Sequence, residues 1–150
     1  MNRRLLILLL TTVALATLRA SEPTPAPTPS DEEVKARASA LEVAGGFSND
    51  GFKIRDAHTC GTLAPKASKF IQVNLSGGNQ YWFIAAATAP AKRLAVTLYD
   101  EQGKPVSTEL YENNAQAAAG FSPPTSGPYI VRVEELEGGP AVFCLLYSYK

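Results

Sequence analysis

Apolar and polar positions alternate along three successive stretches of the chain. Ile71, Val73 and Leu75 alternate with Phe70, Gln72 and Asn74. Tyr81, Phe83 and Ala85 alternate with Trp82, Ile84 and Ala86, and Leu94, Val96 and Leu98 with Ala95, Thr97 and Tyr99. A period of two sorts neighbouring side chains to opposite faces of a pleated strand. Between the first two stretches, Ser76-Gly77-Gly78-Asn79 reads as a tight turn, since glycine reaches the positive φ angles such turns need. The pattern predicts antiparallel β structure.

The same reading continues toward the C-terminus. Asp100-Glu101-Gln102-Gly103 is a turn, and Val106 to Tyr111 and Ala115 to Phe121 are strands separated by a break at Glu112-Asn113-Asn114. Tyr129, Val131 and Val133 alternate with Ile130, Arg132 and Glu134, and Ala141 to Tyr149 is a final strand. Upstream, Phe52 to Arg55 and Ala57 to Leu63 are two short strand candidates. About eight short strands with turn signals between them describe an all-β antiparallel sandwich of jelly-roll type.

One segment breaks the two-residue period. Ser30 with Glu33 fits a capping box, Asp31 and Glu32 suit a helix N-terminus, and Gly45-Gly46 offers a stop. A helix over 31–45 is expected, with Val34, Ala38 and Leu41 forming a narrow stripe. The helix and the sandwich then compete to explain Trp82, Ile84 and Phe70. If Tyr81 and Phe83 face the core, these three face away from it. Either the helix covers them, or they are a candidate partner surface, since exposed aromatic patches mark contact sites.

Residues 1–20 read as a signal peptide: Arg3 and Arg4 begin it, an apolar run follows from Leu5, and Ala16 or Ala20 closes a small-residue cleavage site. Arg19 ends the run before it reaches the length of a membrane span. Residues 21–30 are a Pro/Thr-rich linker, and 46–150 are the sandwich domain. The whole chain has 14 basic and 14 acidic side chains. Cleavage after Ala20 would remove Arg3, Arg4 and Arg19 and leave 11 basic against 14 acidic. A mildly acidic mature protein with scattered cations argues against nucleic acid and against membrane association after cleavage.

Export makes a disulfide the default for Cys60 and Cys144. It would close a loop of about 85 residues, worth up to ~4.5 kcal/mol in the chain-entropy model. His58 is the single histidine, in Asp56-Ala57-His58-Thr59-Cys60. A Cys60 nucleophile with His58 as base is the one enzymatic reading, and a cysteine committed to a bridge cannot attack. Zinc lacks a ligand set. Calcium is the better metal candidate, at Asn49-Asp50-Gly51, Asp100-Glu101 or Glu112-Asn113-Asn114, but none matches a calcium loop and turn formation is the expected role of each. No cofactor is expected.

The runs QVNLSGGNQYWF, LAVTLYDEQGKPV, AGFSPPTSGPYIVRVEE and AVFCLLYSY together resemble the bacterial pre-peptidase C-terminal domain over about residues 68–149. The resemblance implies a compact jelly-roll-like sandwich in an exported protein, non-catalytic, assisting secretion, folding or substrate attachment of a secreted hydrolase. Against that pattern the 150 residues add a cysteine pair and a helical lead-in, and no catalytic domain is expected ahead of the sandwich. The expected role is a non-enzymatic module for a protein or glycan partner. The alternative is a self-associating structural protein of the cell envelope.

Overall fold

The computed structural model describes residues 28–150, so the signal-peptide reading and most of the Pro/Thr-rich linker lie outside the described residues. Helix α1 (Asp31–Ser48) is followed by eight strands: β1 (Lys53–Leu63), β2 (Ser68–Leu75), β3 (Tyr81–Ala87), β4 (Arg93–Tyr99), β5 (Glu109–Asn113), β6 (Gln116–Phe121), β7 (Gly127–Glu137) and β8 (Ala141–Tyr149). One sheet has the order β1-β8-β3-β6-β5 and the other β2-β7-β4. All the pairings are antiparallel. The chain changes sheet at nearly every connection, which is the path of a jelly roll, with β5 kept beside β6. The expected all-β sandwich with one N-terminal helix is the observed fold.

Between the sheets lies the main core. Phe83, Phe143 and Leu145 from one sheet meet Leu94, Leu98, Val131 and Val133 from the other, all essentially removed from water. The alternation read from the sequence selects these residues, because only every second side chain of a strand reaches the facing sheet. A second, smaller cluster lies on the opposite side of the five-stranded sheet. There Ile84, Ala86, Ala118 and Leu146 pack against Ala40 and Ala44 of α1.

The helix differs from its sequence reading in two ways. It runs through Gly45 and Gly46 to Ser48, beyond the expected end at 45, and Asn49 caps it. Each glycine costs roughly 1 kcal/mol in a helix interior, and here a contact beyond the two glycines offsets part of that cost. Phe47 stacks on Trp82 with centroids 4.2 Å apart and planes 9° from parallel, worth about 0.5–1.5 kcal/mol beyond area burial. The buried stripe is also rotated, to Ala36, Ala40 and Ala44. Val34 is left 56% exposed and Ala38 is exposed as well. Alanines bring the helix axis close to the sheet, and larger side chains at those positions would hold it off. The capping box is present: the Glu33 N–H donates to Ser30 Oγ at 3.2 Å and the Ser30 N–H to Glu33 Oε2 at 2.8 Å.

Two strand boundaries also move. The two candidates over 52–63 are one strand, β1, with a bulge between Arg55 and His58. The segment read as a strand from Val106 is divided. Val106 bonds back to Leu98, and β5 begins at Glu109 and runs through part of the expected break to Asn113. Asn114, at φ 54°, makes the turn into β6. Among the described residues no helix is long and apolar enough to cross a membrane.

Candidate functional site

Cys60 and Cys144 are bonded, with Cα atoms 4.1 Å apart and directly opposite in the β1–β8 register. The bridge joins neighbouring strands of one sheet, and Cys144 is fully buried. The sulfur proposed as a nucleophile is therefore engaged. His58, two positions away on β1, is exposed. Both line a cleft of about 460 Å³ between α1 and β1, beside Val34, Arg37 and Leu41.

Groups in each of the three turns named for calcium have partners within the protein. Asp100 Oδ1 accepts from the Gln102 and Lys104 N–H groups at 3.0 and 2.8 Å. The Asp50 carbonyl accepts from Lys150 Nζ at 3.1 Å, and Glu112 pairs with Arg93 at 3.4 Å. Among the described residues no group of three or more His, Cys, Asp or Glu converges as a metal set.

The proposed aromatic surface is split by the fold. Ile84 is fully buried under α1. Trp82 lies between Phe47 and Gly120, where a Cβ on Gly120 would come within 2.9 Å of the indole. Ile84 offers no face to a partner, which corrects its place in the candidate surface, and Trp82 is half-buried, with one ring face stacked on Phe47 of the helix. Phe70 is on β2, in the other sheet, and is 65% exposed. Alternation gives the face a residue takes on its own strand, and it does not say to which sheet that strand belongs.

Phe70 instead belongs to the outer face of the three-stranded sheet. β7 is its central strand, and the inward set Tyr129, Val131, Val133 and Glu135 leaves Ile130, Arg132 and Glu134 outward. Register places Phe70, Arg132 and Thr97 in one row across the three strands, and Gln72, Ile130 and Tyr99 in the next. Arg132 ties the rows together. Its Nε donates to Ser68 Oγ at 2.9 Å, Nη1 to the Tyr99 hydroxyl at 3.4 Å, and Nη2 to Glu134. The guanidinium carbon lies 5.9 Å from the Phe70 ring centroid, within cation–π range. The Tyr99 bond, and then the Glu134 charge, push the guanidinium above its already high ordinary pKa. The result is a half-buried cation fixed in position beside an open aromatic ring, with a second aromatic two positions along.

Arginine and aromatic residues are those that most often dominate binding energy at protein interfaces. Sequence reasoning named Phe70 and passed over Arg132 and Tyr99. The available signal was the placement of Arg132 opposite Val131 and Val133 in the alternation, which puts a long cation on an outer sheet face.

Inside the same sheet's end, Glu135 is fully buried and neither carboxylate oxygen has a hydrogen-bond partner. Burial pushes its pKa up. The backbone of the β3–β4 connection closes over it: a Cβ on Gly138 would meet Pro90 O at 2.6 Å and Glu135 Oε1 at 2.8 Å. Gly138 has φ 131°, so the position favours glycine on both counts.

No protein-family model and no curated protein sequence matches the chain. Among solved structures, the chain is similar to PliG of Aeromonas hydrophila, a periplasmic inhibitor of g-type lysozyme. The TM-score is 0.45 and the identity 12%, over 63% of this chain and 85% of that one. It is also similar to a de novo designed double-stranded β-helix, with TM-score 0.37 and 18% identity over 61% of this chain and 97% of that one. Both TM-scores are below 0.5, and neither likeness says what this chain binds.

Proposed function

We propose that this chain is an exported, non-catalytic binding module that holds a protein or glycan partner on the outer face of its three-stranded sheet. One observation carries the reading. The five-stranded sheet has the centre of its outer apolar surface covered by α1, whereas the three-stranded sheet leaves Phe70 open beside a guanidinium already fixed by three hydrogen bonds. A cation and ring ordered before contact lose less side-chain entropy on binding. Export is supported by the signal-like residues 1–20 and by the Cys60–Cys144 bridge. The resemblance to the pre-peptidase C-terminal domain is in keeping with an accessory role of this kind.

The test is recovery of partners from the exported fraction on the immobilised protein, with Phe70→Ser and Val34→Ser compared. A partner retained by the wild type and by Val34→Ser, and lost with Phe70→Ser, is the expected result. Equal retention by all three would remove the sheet face from consideration. Concentration-dependent oligomers with no other partner would favour the self-associating envelope protein.

A further inference from the structure

The four edges of the two sheets differ in how they are closed to further pairing. An edge strand presents unpaired N–H and C=O groups, and bulges, proline, short length, charges or covering segments protect it. β1 carries its bulge at Arg55/His58 and packs against α1. β5 is five residues long. β4 is irregular at Arg93/Leu94, and Pro105 and Val106 fold back along its end, with the Val106 N–H on Leu98 O at 3.0 Å.

β2 is different. Its eight residues pair with β7 in unbroken register, with no proline, no bulge and no covering segment bonded along it among the described residues. It leaves apolar side chains open on both sides: Phe70 outward, and Ile71 and Val73 only half-buried although they pack on the core. Its charge is one-signed. No acidic residue occurs between Asp56 and Asp100. Lys66, in the turn before the strand, and Lys69, at its start, are exposed and have no carboxylate partner among the described residues.

We infer that β2 is an acceptor edge, and that an extended acidic segment of a protein partner adds to it as a further strand of the sheet. The partner's backbone would bond to the free side of β2. Its alternate apolar side chains would rest on Phe70 or on Ile71 and Val73, and its carboxylates would reach Lys66 and Lys69. Main-chain bonds supply affinity in such strand addition, and the flanking side chains select the sequence. A second copy of this chain is the poorer occupant, because it would bring two more lysines and no carboxylate to the same edge. The inference rests on the binding-module reading and narrows its partner to a protein.

The probe is an end-blocked peptide of alternating valine and aspartate, as long as β2, titrated into the exported protein. A valine–lysine peptide of the same length is the control. The expected result is slowed amide hydrogen exchange at alternate residues of 68–75 with the acidic peptide only, and an affinity reduced about tenfold by Lys66→Glu with Lys69→Glu. Unchanged exchange along β2 with the acidic peptide at millimolar concentration overturns the inference. Unchanged exchange there with resonance shifts at Phe70, Arg132 and Tyr99 also overturns it, while leaving the binding-module reading in place. Dimerisation that protects β2 as protein concentration rises, followed by sedimentation, assigns the edge to a second copy and overturns it too.

Discussion

The two outer faces of this sandwich are both antiparallel sheet and differ in chemistry. On the five-stranded sheet, Ile84, Ala86, Ala118 and Leu146 are small or apolar, and alanines of α1 seal them. On the three-stranded sheet, Phe70, Gln72, Thr97, Tyr99, Arg132 and Glu134 are aromatic, polar or charged, and no helix lies over them among the described residues. A sheet buried on both sides reads as a continuous apolar run, and one buried on a single side reads as alternation. β3, Tyr-Trp-Phe-Ile-Ala-Ala-Ala, is the first kind, and β4 and β7 are the second. The contrast separates a face built for packing from one left for contact.

Substituting an apolar residue on each face tests that contrast most directly. Ile84→Ala should cost about 2–5 kcal/mol, because it opens a cavity beneath α1. Phe70→Ala should stay within about 0.5 kcal/mol, as surface changes usually do. Chemical denaturation midpoints of the two variants give both numbers, and equal losses would erase the distinction. Next in size, replacing Cys60 and Cys144 together by Ser should cost about 2–4 kcal/mol, read as a lower thermal midpoint that reductant no longer moves. Gly120→Ala should cost about 1–3 kcal/mol through overpacking. It forces the indole off Phe47, so the near-ultraviolet circular dichroism of Trp82 should weaken with it.

The smallest expected effect is a slope. The folded-state pKa of Glu135 is raised by burial, so the folded protein binds that proton more tightly than the unfolded chain does. The stabilising contribution is complete below the unfolded carboxyl value, about 4.3, and is lost as pH rises through the folded value. Glu135→Gln should flatten this part of the stability profile, measured by denaturant unfolding at stepped pH. An unchanged slope would mean that another group sets it.

Much of the architecture was legible because its signals are local. The capping box at Ser30 and Glu33, the turn with Gly78 at φ 86° and the Asp100 turn with Gly103 at φ 76° each involve neighbours in sequence. The phase of α1 was not legible. Val34 and Leu41 outweigh alanines on any hydrophobicity scale, and the close approach to Ile84 and Leu146 that favours Ala40 and Ala44 is a tertiary fact. The same holds for the site. Outward placement of Arg132 follows from strand alternation, but its bonds to Ser68 and Tyr99 join residues 64 and 33 positions away, and pairing at that distance leaves no local trace.

The bridge between Cys60 and Cys144 fastens the first strand to the last, and Lys150 reaches back to Asp50 at the other end of the same strand pair. Mechanically, the domain is a closed ring of residues 60–144 with a tail at each end. A pull applied at its ends would peel α1, the start of β1 and the last residues of β8, and would then load a covalent bond. The strands between the two cysteines, all three of the smaller sheet among them, would bear none of that tension.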